Sequence, residues 1–284
     1  MIRKFLIPAP WRIVIVSQAP PAAFAIDAMC REAGHQPVAI VTSRRTHGEG
    51  SNLAEMLAGA SPDVDVLYAA DKKSLEPLFR AYAPDLVICL GFPWLMPQEA
   101  LDVPRLGAIN VHPSKLPLYR APIPLPWAVR NGETEIAMTV HRMDATYDTG
   151  PILAQAPVPV DEAAWTFEEV IPHFQTALQQ IVPRALERVA AGDEGEPQEG
   201  DPGVYAAFFD DEFKQIDWSR PAREIHNQVR AWAFAGTFEV EKEAPVGEVD
   251  GELRKILRTR LEPGEGTRVE AGDGPLWITE SEPA

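Results

Sequence analysis

The chain has 284 residues, of which 45% are hydrophobic, enough for one sizeable domain and a smaller companion. Its 42 acidic against 26 basic side chains leave a net charge of −16, with the acid gathered in the second half in AAGDEGEPQEGD and EVEKEAPVGEVDGE, so a nucleic-acid partner is disfavoured. Cys30 and Cys89 lie far apart in apolar surroundings without ligand spacing, which argues against disulfide or metal frameworks and reads as two buried thiols, with no metal site expected.

The N-terminal MIRKFLIPAPWRIVIVSQ joins a charged flank to an apolar run, but Pro8 and Pro10 interrupt it. It reads as the lead-in to a buried strand rather than a secretion signal. No run approaches the roughly 18 apolar residues of a membrane span, so no membrane partner and a cytoplasmic location are expected. Short β-branched runs follow: RIVIVS (Arg12 to Ser17), PVAIVTS (Pro37 to Ser43), DVLYA (Asp65 to Ala69), DLVICLGF (Asp85 to Phe92) and GAINVHP (Gly107 to Pro113). Helix-length segments such as PAAFAIDAMCREAG and KKSLEPLFRAYA separate them. Near-continuous apolar strands alternating with helices predict a doubly wound α/β domain with a mostly parallel sheet buried on both faces.

EIAMTVHRM (Glu135 to Met143) and PILAQAPVPV (Pro151 to Val160), joined by a short polar loop, predict an antiparallel pair at the sheet's edge, and a long helix over about Thr166 to Ala191 closes the domain. The catalytic domain is expected over 1–195 and a Gly-, Pro- and acid-rich linker over 196–204. Residues 205–284 then form a helix in SRPAREIHNQVRAWA and a small β unit built from TFEVEKE, LRKILRTRL and PLWITES.

The stretch INVHPSKLPLYRAPIP sits at the carboxyl end of a central strand, where open α/β sheets place their sites. Asn110 and His112, at i and i+2, face the same side before Pro113 stops the strand. GFPWLMP (Gly91 to Pro97) leaves the preceding strand at the same rim, and the loop MDATYDTGPI (Met143 to Ile152) adds Asp144 and Asp148. An amide, an imidazole and a carboxylate converging there suit acyl transfer: two donors for an oxyanion and a group that holds the imidazolium and relays a proton.

NVHPSKLPLYR followed by DTGPI resembles the formyltransferases that use 10-formyltetrahydrofolate, a family whose pattern is Asn-x-His-(Pro or Gly)-Ser-Leu-Leu-Pro and a later Asp-Thr-Gly. The match implies Asn110, His112 and Asp148 as the catalytic trio and 10-formyltetrahydrofolate as co-substrate. It further implies a folate pocket with Phe92, Trp94, Leu95 and Met96 on one wall and Asp144, Ala145 and Tyr147 on the other. Lys115 stands where the family usually has Leu, and Ala121 and Thr146 where Gly is common. IDWSRPAREIHNQVRAWA and GDGPLWITES resemble the connecting helix and a barrel strand of family members, implying a shortened, OB-like C-terminal unit.

Ser114, Tyr119 and Arg120 are expected at the acceptor's side, Arg120 for its bidentate grip on a carboxylate or phosphate. His141 reads as structural on its edge strand, and His173 and His226 are assigned no role. The first strand-to-helix turn, VSQAPPAAFA, lacks the glycine of a phosphate cradle, which counts against glycinamide ribonucleotide as acceptor. The early basic cluster is limited to Arg44, Arg45 and His47, and the tail is acidic, which counts against transfer RNA. A small amine remains the preferred acceptor: a hydroxyornithine-type siderophore precursor, an amino sugar or another natural-product intermediate. The alternatives are methionyl-tRNA formylation, hydrolysis of the folate to release formate, and a non-catalytic folate-binding or scaffold role. An open edge in the C-terminal unit predicts a homodimer formed through it.

Overall fold

The computed structural model describes residues 10–43, 52–235 and 244–284. Residues 1–9 of the N-terminal lead-in, the cluster Arg44, Arg45 and His47, and the expected strand TFEVEKE lie outside them. The described elements run β1 (Arg12–Ser17), α1 (Pro20–Glu32), β2 (Gln36–Ser43), α2 (Leu53–Gly59), β3 (Asp65–Ala69), α3 (Leu75–Tyr82), β4 (Leu86–Leu90), α4 (Gln98–Leu101), β5 (Ala108–His112), α5 (Pro124–Arg130), β6 (Glu135–Arg142), β7 (Ile152–Pro159) and α6 (Phe167–Ala190). After these come α7 (Asp211–Lys214), α8 (Ala222–Ala235), β8 (Val246–Val249), β9 (Glu252–Arg260), β10 (Thr267–Ala271) and β11 (Gly274–Pro283).

Among the described residues, seven strands form one sheet in the order β3-β2-β1-β4-β5-β6-β7. The first five strands in that order pair in parallel, and β6 turns the direction by pairing antiparallel with β5. Ile13 to Val16 of β1 and Val38 to Val41 of β2 are buried without alternation, as strands covered on both faces must be. The strand order reverses between β1 and β4, so the carboxyl ends of β1, β4 and β5 face an open crevice. The β5–β6 register sets Asn110 opposite His141 and His112 opposite Thr139, which brings β6 residues to the same rim.

α5 was not among the expected elements. Pro124 and Pro126 occupy its first turn, where the missing N–H has no intrahelical partner to lose. Cys30 and Cys89 are both buried, and burial pushes each thiol up to about 12. No helix of the described residues is long and apolar enough to cross a membrane.

Two compact units emerge. The first takes the chain up to Arg120, Ala137–Val158 and His173–Val204; the second takes Ala121–Ile136, Pro159–Pro172 and Tyr205–Ala284. The stretch expected as a linker is tied into the first unit, since Glu196 exchanges backbone hydrogen bonds with Ile152 at 2.7 and 2.9 Å. In the second unit β8 to β11 form an antiparallel sheet in the order β10-β11-β9-β8. Its Ile256, Ile278 and Val249 pack against Val229 of α8. β8 and β10 were missed as strands: they span 4 and 5 residues, too few for a pattern to stand out.

Candidate active site

Pro113 ends β5 and the chain folds back on itself. Ser114 is buried, its Oγ donates to the Leu118 carbonyl at 2.8 Å, and its own carbonyl accepts from Thr139 Oγ1 at 2.6 Å. The fold-back delivers Tyr119, in the left-handed region at φ 56°, so that its carbonyl meets His112 Nε2 at 3.0 Å. The other ring nitrogen, Nδ1, stands 3.6 Å from Asp148 Oδ1. Burial pushes the His112 pKa below its ordinary value, while the Asp148 carboxylate and the Tyr119 carbonyl pull it back up. Both nitrogens face acceptors, the setting that retains a second proton once one is supplied.

Asp148 also sits in the left-handed region, at φ 55°, a conformation Asp tolerates better than most residues. Its Oδ1 is a focus: Asn110 Nδ2 donates to it at 3.3 Å, and His141 Nε2 lies 3.5 Å away. His141 Nδ1 donates to the Arg142 carbonyl at 2.7 Å, leaving Nε2 3.2 Å from Asn110 Nδ2. His141, read from sequence as structural, is therefore in the cluster. The signal that finds it is the β5–β6 register, which no local pattern reveals.

Asn110, His141 and Asp148 all line one open cleft. Phe92, Trp94, Leu95 and Met96 from the loop after β4 line it, with Met143, Thr146 and Tyr147 from the loop after β6 and Cys89 of β4. Phe92 and Trp94 meet edge to face at 5.2 Å, and the Leu95 N–H donates to Tyr147 Oη at 3.2 Å, joining the two walls. His112, 3.6 Å from Asp148, is outside this lining.

Two residues expected in the folate pocket do not line the cleft. Asp144 is turned into its own loop, where it accepts from Thr146 N, Thr146 Oγ1 and Thr149 Oγ1 at 2.9, 2.6 and 2.9 Å. Burial alone would raise its carboxyl, but these hydrogen bonds hold it below its ordinary value. Ala145, at the tip of that turn, is exposed. On the expected acceptor side, none of Ser114, Tyr119 and Arg120 lines the cleft. The Ser114 hydroxyl is spent on Leu118, Tyr119 contributes its carbonyl to His112, and Arg120 donates through Nε and Nη2 to Gln198 Oε1 at 3.2 and 2.7 Å. Of the three departures from the family pattern, Lys115 is exposed, Thr146 borders the cleft, and Ala121 takes the positive φ, 100°, that suits the more usual glycine.

Comparison with known proteins covers nearly all of this frame. The family profile described as "Formyl transferase" matches residues 12–186, and that described as "Formyl transferase, C-terminal domain" matches residues 209–284. Methionyl-tRNA formyltransferase of Pelobacter propionicus is 34% identical over 251 residues, 82% of this chain and 73% of that protein. Among solved structures, HypX from Aquifex aeolicus superposes with a TM-score of 0.67 at 18% identity, covering 97% of this chain and 46% of its own, and a further HypX structure is a complex with tetrahydrofolic acid. WlaRD, a sugar 3N-formyl transferase, superposes with a TM-score of 0.63 at 17% identity, covering 96% of this chain and 98% of its own. At these identities the two structural likenesses speak for the fold.

Proposed function

The chain belongs to the formyl transferase family, and we propose that within it the protein moves the formyl group of 10-formyltetrahydrofolate to the amine of a small molecule. The family uses this folate. The cleft offers a flat heteroaromatic ring apolar and aromatic walls in Phe92, Trp94, Met96 and Tyr147.

The roles follow from the residues' chemistry. A neutral amine attacks the formyl carbon, and the negative charge that develops on the formyl oxygen is stabilised by the Asn110 amide and by protonated His112, whose Nε2–H exchanges the Tyr119 carbonyl for that oxygen as the folate binds. Asp148 favours that protonated ring and carries the proton from the attacking amine toward the folate nitrogen that leaves. What supports these assignments is the convergence of Asn110, His112 and His141 on the single oxygen Asp148 Oδ1.

The preference for a small acceptor rests on the charge of the second unit. Residues 205–284 carry 10 lysines and arginines against 17 aspartates and glutamates, a net charge of −7. On its sheet Arg254 lies 3.7 Å from Glu252, Lys255 3.4 Å from Glu282, Arg258 3.6 Å from Glu280 and Arg268 2.5 Å from Glu270. Cations already beside carboxylates release few counterions to a phosphate backbone, so they lend it little affinity. Methionyl-tRNA as acceptor is the second reading, favoured by the name and 34% identity of the Pelobacter relative.

Release of tetrahydrofolate from 10-formyltetrahydrofolate, followed with a panel of amino sugars and hydroxyornithine-type amines and with initiator methionyl-tRNA at low salt, separates the readings. Acceptor-dependent release with an amine and none with the tRNA is expected. Efficient tRNA formylation overturns the choice of acceptor. Release without any acceptor identifies a hydrolase, and no release from a folate-saturated protein identifies a binding protein.

A further inference from the structure

Gln198 lies in the acid-rich stretch that reads as a linker, and every hydrogen-bonding position of its amide is used. Oε1 accepts from Arg120 Nε and Nη2 at 3.2 and 2.7 Å, while Nε2 donates to the carbonyls of Asp148 and Gly150, both at 2.8 Å. Arginine can only donate and a carbonyl can only accept, so these four partners fix the amide's orientation. The Glu196–Ile152 backbone pair carries residue 198 alongside Gly150. Arg188 holds the same stretch through Asp193 Oδ2 at 2.9 Å and Glu196 Oε1 at 3.2 Å.

The two loops that Gln198 joins are those that hold the His112–Asp148 pair. Tyr119 supplies the carbonyl at His112 Nε2, and the next residue, Arg120, grips Gln198. Asp148 supplies the carboxylate near His112 Nδ1, and its own carbonyl accepts from Gln198. The contacts close a circuit of His112, Tyr119, Arg120, Gln198 and Asp148. Asp148 needs such a restraint, because a non-glycine residue in the left-handed region stays there only when its surroundings hold it.

We infer that Gln198 is a positioning residue that fixes the left-handed Asp148 turn against the Tyr119–Arg120 loop and so sets the distance between the Asp148 carboxylate and His112. The inference rests on the reading of His112 and Asp148 as a working pair. It assigns the supposed linker a function in the site, with Arg120 acting through Gln198 rather than on the acceptor.

Two variants separate the arms of the clamp. Gln198→Met keeps the length and removes all four hydrogen bonds. Gln198→Glu keeps an acceptor for Arg120 but presents oxygen to the two carbonyls, and it serves alone if the Met variant does not fold. The titration of His112, followed by ring 15N and 13C NMR, reads the pair without any acceptor; the ionisable groups facing that ring are Asp148 and His141. A looser Asp148 supports the imidazolium less, so both variants shift the His112 midpoint to lower pH by about half a unit or more. Adding either to Asp148→Asn produces no further shift, because the residue acts through Asp148.

In turnover, with hydroxylamine as the acceptor nucleophile, kcat falls roughly 10- to 100-fold while KM for 10-formyltetrahydrofolate stays within about twofold, the loss expected from misplacing a reacting group by about 1 Å. Unchanged His112 titration in Gln198→Met or Gln198→Glu, with a shifted titration in Asp148→Asn, overturns the role of Gln198. Unchanged titration in Asp148→Asn itself overturns the underlying pair instead.

Discussion

Gly150 is where the site's turn can be tested by a single methyl group. A Cβ built on Gly150 would lie 1.9 Å from the Arg142 carbonyl oxygen, whereas real Cβ contacts essentially never fall below 3.0 Å. Gly150→Ala must therefore move one backbone past the other by about 1.1 Å, the difference of those two distances. Neither side yields easily: the Arg142 N–H donates to Pro151 O at 2.8 Å, the Arg142 carbonyl accepts from His141 Nδ1 at 2.7 Å, and the Gly150 carbonyl is held by Gln198. The displacement is passed to Asp148, two residues earlier, whose Oδ1 contacts span 3.3 to 3.6 Å and become water-filled gaps if lengthened by 1 Å. Overpacking of this kind costs about 1–3 kcal/mol of stability, and a 1 Å error at a reacting group costs on the order of 100-fold in turnover. Single-turnover tetrahydrofolate release by the folded variant, saturated with folate, measures the second effect directly. A Gly150→Ala protein within about threefold of the parent rate, alongside an inactive Asp148→Asn, would refute the chain of reasoning from the turn to the carboxylate.

Three further outcomes are expected. His112→Ala and Asp148→Asn each lose roughly 100- to 1,000-fold in turnover with folate affinity, measured by fluorescence titration, little changed; loss of folate binding instead would move both residues into the pocket wall. His226, buried against Thr259 Oγ1 at 2.8 Å, has its pKa pushed down to about 4 by burial and then by Arg230 and Arg223. The unfolded chain takes up this proton near pH 6.5 and the folded one only near 4, so stability present above pH 6.5 declines as pH falls toward 4, by about 2–3 kcal/mol; urea unfolding of His226→Gln should show a shallower decline, and an equal one would reject the assignment. Among the described residues β10 pairs with β11 alone, leaving one edge open, so light scattering of the full chain should report a homodimer, and a monomer at every concentration would reject pairing through this sheet.

What the sequence conveys about such a site depends on whether the information is local. β1 has the bounds read from RIVIVS because a run buried on both faces leaves no ambiguity of period, and β3, a half-exposed edge strand, has those read from DVLYA. Asn110 and His112 are legible because strand geometry alone puts i and i+2 on one side, and Asp148 because its motif follows at a fixed place after them. Asp144, expected at the folate pocket, does not line the cleft for a chemical reason: Thr146, standing where glycine is common, offers it a hydroxyl and an N–H, and the carboxylate is held within its own loop. His141 needs the β5–β6 register, a pairing between segments separated by α5. Gln198 is harder still, because its composition is that of a solvated linker and its partners come from Arg120 and from the Asp148 turn, 78 and 50 residues away. The chemistry of the site is thus written in short motifs, while the restraints on its geometry come from segments whose composition looks indifferent. A substitution in EGEPQEGD that preserves charge and disorder propensity but removes one amide is predicted to disturb the His112–Asp148 pair more than a charge reversal at the exposed Glu199 beside it, because only the amide has four partners to lose.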